Sequence, residues 1–252
     1  MTEPVVVSAP AKLTWSLRVT GVRGDGYHEL DAEFVSLDLA DELHVIEGGT
    51  GISVSGPYAT GVPTDGTNLV ARALALTGRE AGIHLVKRIP HGGGLGGGSA
   101  DAAAVLRWAG MDDPARATQL GADVPFCVRG GRARVRGIGD VVTPLAFVAR
   151  TVTLIVPPLV VSTPAVYRAW DALGGPRADG PNDLEPAALV IEPRLAHWRD
   201  RIEAATGQRP ILAGSGAAWF LPGDWLRLAE RDNALDSVRS EGAAVVVAHT
   251  IP

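Results

Sequence analysis

Two lysines, Lys12 and Lys87, stand in a chain that otherwise carries its positive charge on twenty-one arginines. A position that keeps Lys where Arg is the rule suits a compact ammonium rather than a planar fork, although codon bias and chance are a competing account. A third group able to do chemistry is Asp123, framed in Leu120-Gly121-Ala122-Asp123-Val124-Pro125-Phe126. A carboxylate in such a turn can do acid–base chemistry, or can be an ordinary solvated loop residue. The fourth feature is the run Pro90-His91-Gly92-Gly93-Gly94-Leu95-Gly96-Gly97-Gly98-Ser99-Ala100. Glycines let a backbone turn its N–H groups onto an anion at a helix N-terminus, where the dipole also favours negative charge. Phosphate is the guest such a loop suits.

The elements around the glycines are what make that reading specific. The apolar run Ile83–Ile89 reads as a strand that Pro90 ends, and Ala102, Ala103, Ala104, Val105, Leu106 and Trp108 read as a helix. Ser99 is placed to cap that helix, Asp101 to sit at the positive end of its dipole, and Gly110 to stop it in a left-handed turn. A flexible linker is the bland alternative for a glycine run. The phosphate loop of common NTPases needs a Lys before its Ser or Thr, and here Gly98 precedes Ser99. Gly92, Gly94 and Gly97 satisfy a dinucleotide pattern that a run this rich in glycine meets almost automatically, so an oxidoreductase rests on weak support.

The rest of the chain predicts an α+β protein. Strands are expected over Val5–Leu13, Thr14–Thr20, Val35–Leu39, Glu42–Ile46 and Ile52–Val54, before any helix. Asn68–Thr77 has helical spacing closed by Gly78, and Asp113-Pro114 opens a short helix that ends near Gly121. Pro125 predicts an extended Val124, which leaves Asp123 in a loop before a strand. Strands at Arg132–Gly139 and Val141-Val142 precede a second lobe starting near residue 150, with a strand at Thr151–Val156. A helix from Thr163-Pro164 carries Tyr167 and Trp170, and another spans Leu195–Thr206. Ile211–Phe220 reads as strand, glycine turn and strand; a helix over Trp225–Glu241 and a strand over Ala243–Ala248 follow.

Composition excludes several classes. With 46% hydrophobic and 20% charged residues and a net charge of −5, nothing marks a nucleic-acid or anionic-membrane surface. Cys127 is the single cysteine, which fits a reducing cytoplasm. The N-terminus has no basic-then-apolar signal pattern, and no apolar run reaches the roughly twenty residues of a membrane span. His44, His84, His197 and His249 lack metal-ligand spacing.

Four segments together resemble the superfamily of galactokinase, homoserine, mevalonate and phosphomevalonate kinases. They are Pro10-Ala11-Lys12-Leu13, the glycine loop, Leu120–Phe126, and Ala213-Gly214-Ser215-Gly216. Asp25-Gly26-Tyr27-His28-Glu29-Leu30 adds a likeness to the branch that serves non-mevalonate isoprenoid synthesis. The resemblance implies a ribosomal-S5-like ATP-binding and catalytic lobe over residues 1–150 and a ferredoxin-like lobe over 151–252. It implies ATP and Mg²⁺ as cofactors and phosphorylation of the 2-hydroxyl of a diphosphocytidyl-methylerythritol. By the same resemblance Gly92–Ser99 would cradle the phosphates, flanked by Pro90, His91 and Ala100, while Asn68, Leu69 and Lys87 would line the adenosine pocket. Asp123 would be the base, with Lys12 between it and the transferring phosphoryl. Tyr27 and Tyr167 would flank the cytosine and His28 would hydrogen-bond it, with Thr14 and Thr163 also touching the acceptor. The metal ligands stay open, and a monomer or homodimer engaging neither nucleic acid nor membrane is expected.

Some positions depart from the family pattern. Thr14 stands where Asn is usual, offering one hydroxyl in place of a donor and an acceptor. Trp219 follows a turn where small residues are usual and is expected to reshape the cleft between lobes, and one helix before Leu120 is trimmed. Tyr27, His28 and Tyr167 can also be read as core or structural residues. Another alcohol acceptor, and a degenerate nucleotide-binding paralogue, remain open.

Overall fold

The strands expected separately in the first fifty residues are two long ones. β1 (Val5–Val22) and β2 (His28–Glu47) form an antiparallel hairpin, from Val5 opposite Val45 to Val22 opposite His28. The computed structural model describes residues 3–227 and 235–252. Register shifts fall at Pro10/Lys12, Thr14/Ser16 and Val19/Gly21. Such bulges bend a strand rather than end it, and Pro10, which has no N–H to donate, sits at the first of them. Lys12 and Thr14 are two residues apart and so face the same way.

β2 is the hub. It pairs with β4 (Ala81–Val86), which lies parallel to β3 (Ile52–Ser55) across the crossover helix α1 (Leu69–Thr77). Further along, β2 pairs with β5 (Arg132–Gly137), which continues to β6 (Val141–Pro144). A second group of strands holds β7 (Thr151–Val156), β8 (Ile211–Leu212), β9 (Trp219–Pro222) and β10 (Ala244–Ile251). Among the described residues strand pairing joins the groups where Thr250 and Ile251 pair with Leu37 and Ser36, completing ten strands.

The helix after the glycine loop, α2 (Gly97–Trp108), buries Ala100 through Leu106 against β1, α1 and α4 (Val124–Arg129). A helix apolar on nearly every side belongs inside, and its alanines let the backbones approach closely. Its end is as expected: Gly110, with φ of 70°, donates to Arg107, and Met111 donates to Leu106, a double closure of the last turn. Its start is not. Gly96 in the left-handed region is the N-cap, and Ser99 lies within the first turn without capping. Asp101 is 3% exposed and held by Lys87 rather than by the dipole.

Other expectations need correcting. The strand before the loop stops at Val86, because the Asp41 carboxylate accepts the backbone N–H groups of Arg88 and Ile89, replacing strand partners. Val124 opens helix α4 rather than extending a loop; Pro125 falls in the first turn, where a missing N–H costs little. Asp113 does cap α3 (Pro114–Thr118). After α5 (Thr163–Ala172) an unforeseen helix, α6 (Glu185–Ile191), precedes α7 (Arg194–Thr206). Of the helix expected over Trp225–Glu241, residues 225–227 form a turn, 228–234 lie outside the described residues, and α8 covers Asp236–Ser240. Trp219 is wholly buried in the core and does not touch the cleft. No helix among the described residues is long and apolar enough to cross a membrane.

Candidate active site

The glycine loop is built so that its carbonyls face protein. Gly92 and Gly93 accept from the N–H groups of Ala217 and Ala218 at 3.1 and 3.2 Å, and Leu95 accepts from Lys12 at 3.0 Å. That leaves the first turn of α2, whose N–H groups have no partner within the helix, at the loop's open end. Glycine is required at two points. A Cβ on Gly94, where φ is 70°, would lie 2.8 Å from the Gly216 carbonyl oxygen; one on Gly96, at 69°, would lie 2.7 Å from Lys12 Cγ. The turn that meets Gly94 is itself held by Asn182, whose amide donates to the carbonyls of Leu212 and Gly214 at 2.8 and 2.7 Å.

Lys12 and Asp123 come together at this point. Lys12 Nζ is 3.1 Å from Asp123 Oδ2, donates to Thr14 Oγ1 at 3.1 Å, and lies 4.6 Å from the centre of the Phe34 ring. The lysine side chain is 7% exposed while the carboxylate is 32% exposed, so Asp123 is the member open to a ligand. Both border a cavity of about 640 Å³ whose wall also includes Gly94, Gly96 and Ser99 of the loop. Cys127, close behind, is no rival nucleophile: burial, with Asp123 adding to it, pushes its thiol up to about 12.

The expected acceptor residues line the same cavity: Thr14, Tyr27, His28, Thr163 and Tyr167. Tyr27 is 59% exposed, which sets aside its reading as core. The ring neighbour of Tyr167 is His28, at 4.6 Å between centroids and 33° between planes, and Trp170 meets His28 edge-on at 5.6 Å. His28 Nε2 is 2.8 Å from Asp171 Oδ1, and burial pushes the Tyr167 phenol up. Thr163 Oγ1 lies 2.7 Å from Ser215 Oγ.

The residues expected around adenosine divide. Leu69 Cδ1 would sit 3.5 Å from a Cβ on Gly98, so it reaches the loop. Asn68 instead caps α1, accepting from Val70 at 2.8 Å and donating to the Pro63 carbonyl at 2.6 Å. Lys87 is sealed in, its Nζ bonded to Asp41 and, at 2.6 Å, to Asp101. Within the loop, Ile89, Leu95 and Ala100 are buried, and His91 meets Tyr58 edge-on at 6.3 Å.

Sequence reasoning overlooked Phe34, Arg168 and Asp171 on the cavity wall, and gave Gly214 and Ser215, part of a motif it did single out, no place in the site. Asp171 carried a usable signal, since it stands four residues after Tyr167 and so shares its side of α5.

Comparison with known proteins shows what the whole chain is similar to. The family model of the GHMP kinases N terminal domain matches residues 68–131. A 4-diphosphocytidyl-2-C-methyl-D-erythritol kinase of Paracoccus denitrificans is 41% identical over 233 residues, covering 84% of this chain and 85% of the relative. One from Dinoroseobacter shibae is 40% identical over 246 residues, covering 86% and 85%. A crystal structure of 4-(cytidine 5'-diphospho)-2C-methyl-D-erythritol kinase superposes with a TM-score of 0.76 at 35% identity, covering 98% of this chain and 100% of that one. The homoserine kinase of Cytophaga hutchinsonii, at 18% identity and a TM-score of 0.67, covers 100% and 95% and shares the fold.

Proposed function

This chain belongs to the 4-diphosphocytidyl-2-C-methyl-D-erythritol kinases, a phosphotransferase family within the GHMP kinases, and from that premise we propose how its own residues carry the reaction. ATP lays its phosphates along Gly92–Ser99 at the start of α2, where glycine backbone and helix dipole both favour an anion. The acceptor fills the adjoining cavity, with its cytosine among Tyr27, His28 and Tyr167 and its 2-hydroxyl at Asp123. The observation that carries this reading is the Lys12–Asp123 pair, 3.1 Å apart, at the junction of glycine loop and cavity.

Asp123 accepts the hydroxyl proton as the oxygen attacks the γ-phosphorus and the bond from that phosphorus to the β–γ bridging oxygen breaks, leaving ADP. Lys12 stays beside both the carboxylate and the phosphoryl in flight, where an ammonium offsets the charge gathering on the equatorial oxygens. Thr14 holds that ammonium through its hydroxyl.

Among the described residues no three His, Cys, Asp or Glu side chains converge. The Ser99 hydroxyl on the cavity wall is an oxygen donor that fits Mg²⁺, an ion that binds through few protein ligands and the substrate phosphates. Bound there, it would neutralise charge across the β- and γ-phosphates. The whole reading places the enzyme in the cytoplasm, with no nucleic acid or membrane engaged.

The test is ATP consumption against a panel of alcohols with and without a cytidine diphosphate group. Turnover confined to the diphosphocytidyl acceptor is expected. Equal turnover with homoserine or mevalonate would overturn the acceptor assignment while leaving the kinase chemistry intact.

A further inference from the structure

We propose that Arg168 reads the diphosphate of the acceptor, an inference that deepens the acceptor assignment above and rests on it. Five residues of α5 border the cavity: Thr163, Pro164, Tyr167, Arg168 and Asp171. Their spacing puts them on one stripe of the helix, so α5 runs along the cavity wall. The start of that stripe is at the chemistry. Thr163 meets Ser215 at 2.7 Å, and the neighbouring Gly214 packs on Thr14, the hydroxyl that holds Lys12. Its far end is at the base subsite, where Asp171 is 2.8 Å from the ring of His28. Eight residues of helix separate the ends, roughly 12 Å at 1.5 Å per residue. Arg168 stands between Thr163 and Asp171, one residue past Tyr167 of the base subsite. Side chains on a helix lean toward its N-terminus, so its long side chain leads from the base toward the chemistry, as the diphosphate leads from cytidine to methylerythritol.

Charge accounting points the same way. Three groups on the cavity wall can carry positive charge: Lys12, His28 and Arg168. Lys12 faces Asp123 and His28 faces Asp171. Arg168 makes no hydrogen bond or ion pair with another described residue. An exposed guanidinium without a carboxylate costs nothing while the cavity is empty, and its planar fork matches two phosphoryl oxygens when the anion arrives.

The test compares equilibrium binding of CDP and of cytidine to the wild type, Arg168→Gln and Arg168→Lys, with a thermal melt to verify folding. In Arg168→Gln, CDP should weaken about tenfold, the loss expected of one charge-assisted contact at a partly open site, while cytidine is unchanged. Arg168→Lys should restore part of the difference, and the CDP advantage should shrink with salt. Equal weakening of both ligands would overturn the proposal by making Arg168 a packing residue, and an undiminished CDP advantage would assign the diphosphate elsewhere. If wild type binds neither ligand, the acceptor assignment itself falls, and this proposal with it.

Discussion

The glycine loop passes between the only two lysines of the chain, and the two sides differ. A Cβ on Gly96 would strike Lys12 Cγ at 2.7 Å, and one on its neighbour Gly97 would come within 3.3 Å of Lys87 Nζ. Each lysine is paired with aspartate. Lys12 has one, Asp123, whose carboxylate is 32% exposed at the cavity. Lys87 has two, Asp41 and Asp101, whose side chains are 0% and 4% exposed. Opposite charge beside a lysine therefore does not mark a catalytic centre. What separates the two sites is whether a carboxylate keeps an oxygen within reach of a ligand. On the Lys12 side it does; on the Lys87 side the carboxylates tie β2, the chain after β4, and α2 together beneath the loop.

The sharpest way to break this comparison is to disable each side and see which property moves. Asp123→Asn keeps shape but cannot take a proton, so single-turnover phosphoryl transfer with both ligands saturating should fall by about 10²–10⁴. Its melting temperature should barely change, because the position is open. Lys12→Arg should also fail in that assay, since the guanidinium is bulkier and places its charge differently beneath Gly96. Near-normal transfer in Asp123→Asn would remove it as the base.

On the other side, Lys87→Met should act on stability. It leaves two buried carboxylates without their cation, a loss of about 3–5 kcal/mol by chemical denaturation. The fraction that remains folded should still transfer phosphate once ligands saturate. An intact fold with abolished ATP binding would instead return Lys87 to the nucleotide pocket and erase the contrast.

How much of this contrast was legible beforehand depends on whether a feature is local. The loop could be read because its requirement lies in consecutive glycines, three of which, Gly92, Gly94 and Gly96, take positive φ. Lys12 and Asp123 could be read by residue type, and their meeting across 111 positions followed from the family resemblance. The fate of Lys87 could not be read. It turns on Asp41, in the middle of β2, taking over backbone donors just where β4 ends. Likewise the start of α4 at Val124 overrode a local rule about the residue before proline, because Pro125 falls where no N–H is needed. Arg168 and Asp171 could not be read from the family pattern, because neither belongs to one of its motifs, and their place on the wall comes from the face that α5 turns to the cavity.

The gentlest test sharpens the comparison through pH. Asp101 Oδ1 is buried without a hydrogen-bond partner, and its other oxygen accepts from Lys87. Burial pushes this carboxyl up from 3.8 to about 7, with Lys87 pulling the other way and Asp41 reinforcing the rise. Between those values the folded protein holds a proton that the unfolded chain has released. Stability contributed by this group is therefore lost as pH rises from about 4 to about 7, and is flat beyond. Asn at this position can still accept from Lys87 but cannot titrate, so Asp101→Asn should lack that slope. Urea midpoints for both proteins from pH 5 to 8 should show the wild type losing ground to the variant by on the order of 1 kcal/mol per pH unit up to about pH 7. Parallel curves for wild type and Asp101→Asn would mean that Lys87 holds two ionised carboxylates beneath the phosphate loop. The two lysines would then differ only in how many charges they face.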